Sequence, residues 1–408
     1  MNRNDFRAAY DFLIQIYRDN AYLHIVMKEN SNKRVKKLVF GVLDKHYELN
    51  YQLNKLVNGK IKNNVRPLLL IALYSLKFLD TPQNVVINET TETLDSLGKS
   101  ALKGFVCAVI KKAAHTEFTL PSKSDKNYYE VKYNLPSWLV GMYRKDYPDT
   151  YERIINAEEF HYSHIRLAPG TTENDILSAE KGAIKTRYGY FVRNNKDIEL
   201  LSCMGKITFM SYGSCFVADC VGAKKGMRIL DSCAAPGGKA VLMAQTGAEV
   251  VACDIHEHRV ELIRSYADRM KVGMETYKQD ATSTVYKWQN SFDAVLADVP
   301  CSGLGVVGKK RDIVFNRTYD DIKRLSEIQL KILNNVSKYV KDGGVLVYAT
   351  CTIFNMENGA VVDAFLEKHD EFTLEKIDCD IENEGKIQLL PDGKGMEGFY
   401  ICRMRKRA

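Results

Sequence analysis

Arg228-Ile229-Leu230-Asp231-Ser232-Cys233-Ala234-Ala235-Pro236-Gly237-Gly238-Lys239 carries a short apolar strand into a glycine turn and out into a helix. The strand ends at Asp231. In Pro236-Gly237-Gly238 the backbone is bare enough for a ligand to come close. The N–H groups that open the following helix suit a carboxylate or a phosphate. The pattern then repeats: Val250-Val251-Ala252-Cys253-Asp254, Met274 to Lys278, Ala294-Val295-Leu296-Ala297-Asp298 and Val345-Leu346-Val347-Tyr348-Ala349-Thr350 read as further strands with helical stretches between them. Such alternation predicts an α/β, doubly wound, Rossmann-like and mostly parallel sheet. Ligands of these sheets bind beyond the carboxyl ends of the strands. Asp231, Asp254, Asp280 and Asp298 fall at or just after those ends. A single aspartate there would read as a helix cap; four in series with a glycine loop read as a binding site. Asp254 follows the loop by about 20 residues, where an acidic side chain takes a ribose diol.

Working outward, the chain has 408 residues, enough for two or three domains, and its 45% hydrophobic and 27% charged content is that of a globular protein. Met1-Asn2-Arg3-Asn4-Asp5 leads straight into an amphipathic stretch, without the apolar core of a signal peptide. No apolar run is long enough to span a bilayer. These features predict a cytoplasmic protein with no membrane partner. The net charge of +7 fits a polyanionic partner without demanding one. The ten cysteines form no Cys-x-x-Cys pair, so no metal site is expected and the thiols are read as reduced. Cys107, Cys203, Cys215, Cys220, Cys253, Cys379 and Cys402 are read as small packing residues. No dimer stripe stands out, and a monomer is expected.

Residues 1–120 read as all-helical by periodicity. Val39, Val42, Leu43 and Tyr47 share a face; Arg66-Pro67 opens an apolar helix, since proline suits a first turn. Thr81-Pro82 ends it, and a helix over Asn84–Leu97 stops at Gly98. A last helix covers Gly104–Lys112. Residues 121–200 begin with the polar linker Pro121-Ser122-Lys123-Ser124-Asp125-Lys126, and Pro136-Ser137-Trp138-Leu139 opens a helix. Tyrosines and basic residues interleave here, which suits RNA contact. Residues 201–408 hold the alternating strands. The first region resembles the NusB-like RNA-binding domain, on Gly41-Val42-Leu43, Ile71-Ala72-Leu73-Tyr74, Val86-Ile87-Asn88-Glu89 and Gly104-Phe105-Val106-Cys107-Ala108-Val109.

Two cysteines follow predicted strands: Cys301 in Asp298-Val299-Pro300-Cys301-Ser302-Gly303, and Cys351 in Tyr348-Ala349-Thr350-Cys351-Thr352. With the string Cys233-Ala234-Ala235-Pro236-Gly237-Gly238-Lys239 they make the chain resemble the Nop2/Sun family of S-adenosylmethionine-dependent RNA cytosine-C5 methyltransferases over residues 201–408. With the NusB-like start, the resemblance narrows to the RsmB (Sun/Fmu) type, which acts on small-subunit (16S) rRNA, and covers nearly the whole chain. It implies a small α/β subdomain over 121–200. It implies that Cys233, Ala234, Ala235, Pro236, Gly237, Gly238, Lys239, Asp254, Asp280 and Asp298 hold S-adenosyl-L-methionine, with Asp280 near the adenine amine. Cytosine C5 is a poor nucleophile. A thiolate added at C6 makes C5 enamine-like, so that C5 attacks the methyl sulfonium. Asp298 is placed to hydrogen-bond N3 and the exocyclic amine. Either cysteine could be the nucleophile by chemistry alone; the resemblance assigns that role to Cys351 and product release to Cys301. The thiolate needs a cation nearby, for which Lys239 and Lys309 are the candidates.

The chain departs from the family's wording at Ala240 (usually threonine), at Ser211-Tyr212 (usually Gln-Asp), at Lys309-Lys310-Arg311-Asp312 (without the usual proline), at Ile165-Arg166-Leu167-Ala168-Pro169 and at Glu397 (usually aspartate). None touches the cofactor acids or the cysteines. The expected partner is RNA, as 16S rRNA or an early small-subunit assembly. The same chemistry on tRNA or another RNA is a second reading, which the catalytic residues do not separate from the first. A non-catalytic assembly factor is a third, and the intact Cys301, Cys351 and Asp298 argue against it. A nicotinamide dehydrogenase lacks its Gly-x-Gly-x-x-Gly fingerprint here.

Overall fold

A computed structural model of the protein describes all residues except 1–4, 20–22, 24–26, 28–31, 158–159 and 309–310. The chain divides into two compact units, one of residues 1–151 with 310–318 and one of residues 152–309 with 319–408.

The first unit is built from helices α1 (Asp5–Asp19), α2 (Lys33–Asp44), α3 (His46–Leu56), α4 (Arg66–Phe78), α5 (Gln83–Ser96) and α6 (Lys103–Ala114). Pro67 lies in the first turn of α4, and Leu68, Leu69, Leu70, Ile71, Ala72 and Leu73 behind it are all buried. A helix apolar on every side must be surrounded, and α4 is the core element of this unit. Helix α2 crosses it closely because Gly41 has no side chain: a Cβ there would lie 1.9 Å from the Tyr74 ring. That contact explains why glycine stands in one string of the NusB resemblance and tyrosine in another.

Residues 121–151 belong to the same unit, with helices α7 (Tyr128–Tyr133) and α8 (Ser137–Asp146). Asn134 fastens them to the bundle by accepting the Tyr47 N–H at 2.8 Å and donating to the Leu43 carbonyl at 3.0 Å. Residues 311–318 also pack here, far from the rest of the unit in sequence. Phe315 sits against His46, Tyr17 and Tyr47, with ring centroids 4.8, 5.7 and 6.4 Å away. Buried Asp312 accepts the Leu23 N–H at 2.9 Å.

The second unit opens with a four-stranded antiparallel sheet of β1 (Ser163–Leu167), β2 (Ile184–Thr186), β3 (Gly189–Val192) and β4 (Ile207–Phe209), in the order β2-β3-β1-β4. It carries helices α9 (Glu173–Ala179) and α10 (Lys196–Cys203). The expected break near residue 200 therefore falls inside this sheet's span, since β4 completes it. After α11 (Tyr212–Cys220) come β5 (Arg228–Asp231), α12 (Gly238–Ala244), β6 (Glu249–Asp254), α13 (Glu257–Arg269), β7 (Glu275–Lys278), β8 (Phe292–Asp298), α14 (Tyr319–Val336), β9 (Val340–Thr350), α15 (Gly359–Leu366), β10 (Phe372–Leu374), β11 (Lys386–Leu389) and β12 (Phe399–Lys406).

These strands form the expected doubly wound sheet, ordered β10-β12-β9-β8-β5-β6-β7 with β11 on β12. The five strands β9, β8, β5, β6 and β7 run parallel, and β12 joins β9 antiparallel. Strands buried on both faces need continuous apolar runs, and Val250–Cys253 and Val345–Ala349 supply them. Between β5 and β8 the chain reverses its direction of travel across the sheet, and the crevice there is where such sheets bind ligands. Among the described residues, no helix is long and apolar enough to cross a membrane.

Candidate active site

The loop after β5 is shaped by its glycines. Gly237 has φ +109°, and a Cβ there would sit 3.2 Å from the Ile263 Cα of α13. The Ala234 N–H donates to the Cys253 carbonyl at 2.7 Å, tying the loop to β6. Ala240, where the family usually has threonine, is fully buried in α12. Ser211 caps α11, its hydroxyl accepting the Ser214 N–H at 3.2 Å.

The strand ends bring the acids together. Asp231, Asp254 and Asp298 close β5, β6 and β8, and Asp280 lies two residues past β7. A cavity of about 530 Å³ opens over Asp254, Asp280 and Asp298, lined also by Ser232, Cys233, Ala235, Cys301 and Cys351, with Asp231 buried outside its lining. Of the other loop residues expected at the cofactor, Ala234, Pro236, Gly238 and Lys239 line a different cavity, across the loop, with Ala235 common to both. Gly237 lines neither and acts through its turn. Asp254 is buried, its carboxylate accepting the His256 N–H at 3.1 Å and lying 3.4 Å from the Arg259 guanidinium. Asp280 accepts from the Thr282 N–H and hydroxyl, each at 2.8 Å. Asp231 is 1% exposed, and neither carboxylate oxygen has a hydrogen-bond partner. Burial, helped by the Asp298 charge, pushes its pKa up to about 7. An orphaned carboxylate beneath the loop suits a cationic ligand, and the sulfonium and ammonium groups of S-adenosylmethionine are cations. The residues present fit that cofactor.

Lys239 reaches back from α12 to Asp298, Nζ to Oδ2 at 2.6 Å, with both side chains mostly buried. Burial pulls the ammonium's pKa down, but Asp298, Asp231 and Cys351 outweigh it and hold it above the usual lysine value. Lys239 thus acts electrostatically on Cys351, as one of the two candidate cations. The other, Lys309, lies outside the described residues.

The cysteine loops meet. Cys301 Sγ lies 3.2 Å from Cys351 Sγ and accepts the Cys351 N–H at 3.3 Å. Cys301 is pushed well above the ordinary thiol range, first by its hydrogen bond to Cys351, then by burial, and also by the Glu357 carboxylate. Cys351 and the Lys239 ammonium act on one another.

Several residues of this arrangement were not singled out in the sequence. Glu357, fully buried, accepts from the Ser302 N–H (2.8 Å), the Ser302 hydroxyl (2.5 Å) and the Gln329 amide (2.9 Å), pinning the Cys301 loop. Asn358 accepts the Thr350 hydroxyl at 2.6 Å and donates to the Thr352 carbonyl at 3.1 Å, pinning the Cys351 loop from both sides. Adjacent polar residues, Glu357-Asn358, shortly after the strand that ends at Thr350 are the signal that could have found their positioning role. Gly305 is needed where the loops touch: a Cβ would lie 2.2 Å from the Gly398 carbonyl oxygen. Ile255 and Ile328, 47% and 39% exposed at the cavity wall, and Arg259 were missed as well.

Of the cysteines read as packing, Cys215, Cys220, Cys253 and Cys402 are buried, but Cys107 and Cys379 are partly exposed and Cys203 is exposed. Cys203 ends α10, where its side chain has no core to enter. All ten are free, and no cluster of three or more His, Cys, Asp or Glu suited to a metal occurs among the described residues.

The doubly wound sheet, the glycine loop and the acids at the strand ends define an S-adenosylmethionine-dependent methyltransferase carrying a NusB-type helical unit. The family model described as 16S rRNA methyltransferase RsmB/F matches residues 220–405, and that of the NusB family matches residues 3–115. A ribosomal RNA small subunit methyltransferase B of Escherichia coli (strain SMS-3-5) is 30% identical over 91% of this chain and 90% of its own length. A probable ribosomal RNA small subunit methyltransferase B of Bacillus subtilis is 29% identical over 98% of each chain. The chain belongs to the RsmB/F family of ribosomal RNA small subunit methyltransferases. In fold it is similar to the crystal structure of PH0851, with a TM-score of 0.85 at 19% identity over 100% of this chain and 99% of that one. It is also similar to that of NSun6 from Pyrococcus horikoshii with SFG, with a TM-score of 0.57 at 18% identity over 67% of this chain and 98% of that one.

Proposed function

We propose that this protein methylates C5 of a cytosine in small-subunit (16S) rRNA through a covalent bond between Cys351 and C6. In this reading residues 201–408 perform the chemistry, while residues 1–120 and 121–200 supply most of the grip on RNA, largely through phosphate contacts that set register. The relatives named for small-subunit rRNA support the substrate class.

S-adenosylmethionine, when bound, supplies an electrophilic methyl group. Asp254 takes the ribose hydroxyls, Asp280 the adenine amine and Asp231 the positive end of the methionine moiety, with Ile255 and Ile328 offering apolar surface to the purine. Asp298 accepts from the target base and is kept in place by Lys239. The Cys351 thiolate adds to C6 and displaces an electron pair onto C5, which would take the methyl group of a bound S-adenosylmethionine as its sulfur–methyl bond breaks and S-adenosylhomocysteine is left. A base, solvent water at the open cavity, then takes the C5 proton; the C–H electron pair re-forms the C5–C6 double bond as the C6–sulfur bond breaks and the Cys351 thiolate departs. Cys301, held as a thiol against Cys351, is the proton donor at hand for the departing sulfur.

The observation that carries the assignment is the meeting of the two cysteine loops in the cavity of the acids, with Cys351 in the field of the Lys239 ammonium and the Cys301 thiol, raised well above its ordinary range, 3.2 Å from it. A thiolate forms where a cation compensates it. The test is methyl transfer to unmodified 16S rRNA by the wild type, Cys351→Ala and Cys301→Ala. Loss of turnover in the first variant and a lasting RNA–protein adduct in the second support the reading; an adduct in Cys351→Ala would reverse the two roles.

A further inference from the structure

The cavity on the far side of the glycine loop is as large as the one over the acids, about 590 Å³. Its walls are Ala234, Ala235, Pro236, Gly238 and Lys239 of the loop, β4 with its continuation to Ser214, and the Leu262–Arg269 face of α13. That volume lies within the range of roughly 300–1,000 Å³ typical of small-ligand sites. Three properties define what it suits.

The first is sign. No carboxylate lines it, whereas Lys239 and Arg269 do. The Arg269 guanidinium donates only to neutral oxygens, those of Ser202, Ile207 and Thr208 at 3.1, 3.4 and 2.9 Å, and forms no ion pair among the described residues. A second guanidinium lies nearby without a carboxylate partner among the described residues. Arg166, 2% exposed on β1 opposite Thr208, donates to the Gln245 side chain at 2.5 Å, while its Nε and Nη2 have no partner. It is close enough to Arg269 for the two charges to oppose each other. Two buried or half-buried cations without a carboxylate favour an anion.

The second is surface. Phe209 is 40% exposed and Leu262 52% exposed, both at this cavity, so it has an aromatic and an apolar wall along with the hydroxyls of Ser211, Ser214 and Ser265. A flat apolar ring and a phosphate are the two things a nucleotide presents.

The third is continuity. A further cavity of about 510 Å³ shares Phe209, Met210 and Ser211 and is walled by the stacked rings of Phe160 and Tyr162, 5.0 Å apart; Glu397 is its one acidic wall. Arg193 lies 5.3 Å over the Tyr162 ring. Aromatic faces alternating with cations track a single strand of nucleic acid.

We propose that the cavity between the glycine loop and α13 is a nucleotide-binding site that takes the RNA residue next to the one being methylated, its base against Phe209 and Leu262 and its phosphate toward Arg269. The site rests on the RNA reading above and adds a specific subsite to it. Lys239, which lines this cavity and bonds Asp298 in the other, is the link between them.

The test uses the full chain with transcribed 16S rRNA and S-adenosylmethionine. Leu262→Glu and Ser265→Asp place a carboxylate at exposed positions of α13, where folding is spared. Each is expected to raise the KM for RNA by about tenfold and to change its salt dependence by about one phosphate contact. Ser265→Lys is expected to lower that KM. Calorimetric affinity for S-adenosylmethionine should stay unchanged in all three, which also reports that they fold. If the wild type methylates RNA while the acidic variants keep its KM, the site is wrong and the parent reading stands. If the variants instead lose S-adenosylmethionine affinity, the cavity belongs to the cofactor. If the wild type methylates no RNA, the parent reading falls first.

Discussion

On one side of the loop Ala234–Lys239 the cavity is walled by Asp254, Asp280 and Asp298 and by the sulfurs of Cys233, Cys301 and Cys351; on the other it is walled by Lys239, Arg269, hydroxyl groups and Phe209, with no carboxylate. One short stretch of backbone thus separates an acidic site, suited to a cationic sulfonium, from a basic one, suited to a polyanion. Lys239 spans the division, since it lines the basic side and its ammonium is bound by Asp298 of the acidic side. In the proposed reading the target base enters the acidic side, where Cys351 and Asp298 lie, while the neighbouring nucleotide occupies the basic side. Both sulfurs lie on the acidic side, where the cation on the shared loop acts on Cys351 and the buried Glu357 on Cys301.

The largest effect expected from breaking this arrangement is at Cys351. Cys351→Ala should lower turnover by at least about 10⁴-fold, as removal of a covalent nucleophile does, with S-adenosylmethionine affinity intact. Lys239→Met comes next. Loss of the ammonium raises the pKa of the attacking thiol, so the acid limb of the kcat/KM profile should move up by about one to three pH units. An unshifted limb would mean that Lys239 serves only to hold Asp298.

Glu357→Gln sharpens the contrast between the sulfurs. With the carboxylate gone, Cys301 ionises more readily, and its alkylation by iodoacetamide, followed by peptide mass spectrometry, should quicken. The neutral side chain also weakens the charge-assisted bonds from Ser302 and Gln329, a loss of about 1–3 kcal/mol in stability. Unchanged alkylation would remove Glu357 from the account.

The smallest effect concerns Asp231. Its folded pKa is raised to about 7, so the folded state holds a proton that the unfolded state has released. Stability from this group is full below the unfolded value, near 4, and is lost as pH rises through about 7. Asp231→Asn should flatten the fall in Tm across that window while weakening S-adenosylmethionine binding. A steeper fall, or unaltered binding, would contradict the role given to the orphaned carboxylate.

The parts of the site that read clearly from the sequence are those carried by local pattern. Asp231, Asp254 and Asp298 end apolar strands, and consecutive strands of a parallel sheet put such ends side by side, so reading the strands was enough to group the acids. The Gly41–Tyr74 contact and the Asn134 bridge were illegible, because each depends on which helix lies against which. The pairing of Lys239 with Asp298 spans 59 residues and that of Ser302 with Glu357 spans 55. No local pattern encodes them. Residues 311–318 show the same limit: Phe315 finds His46 and Tyr17 in the helical unit, although their sequence neighbours belong to the catalytic one. The cavity beside Phe209 was hidden for a further reason. Its walls come from a strand of the small sheet, a loop and a helix, none of which is unusual alone.

The most direct test of the central claim is the position and dependence of the methyl label. Unmodified 16S rRNA is incubated with S-adenosylmethionine labelled in its methyl group and with wild type or Cys351→Ala, then digested to nucleosides. The account predicts label in 5-methylcytidine with the wild type and none with the variant. Label on any other nucleoside, or 5-methylcytidine formed by Cys351→Ala at the wild-type rate, would contradict it.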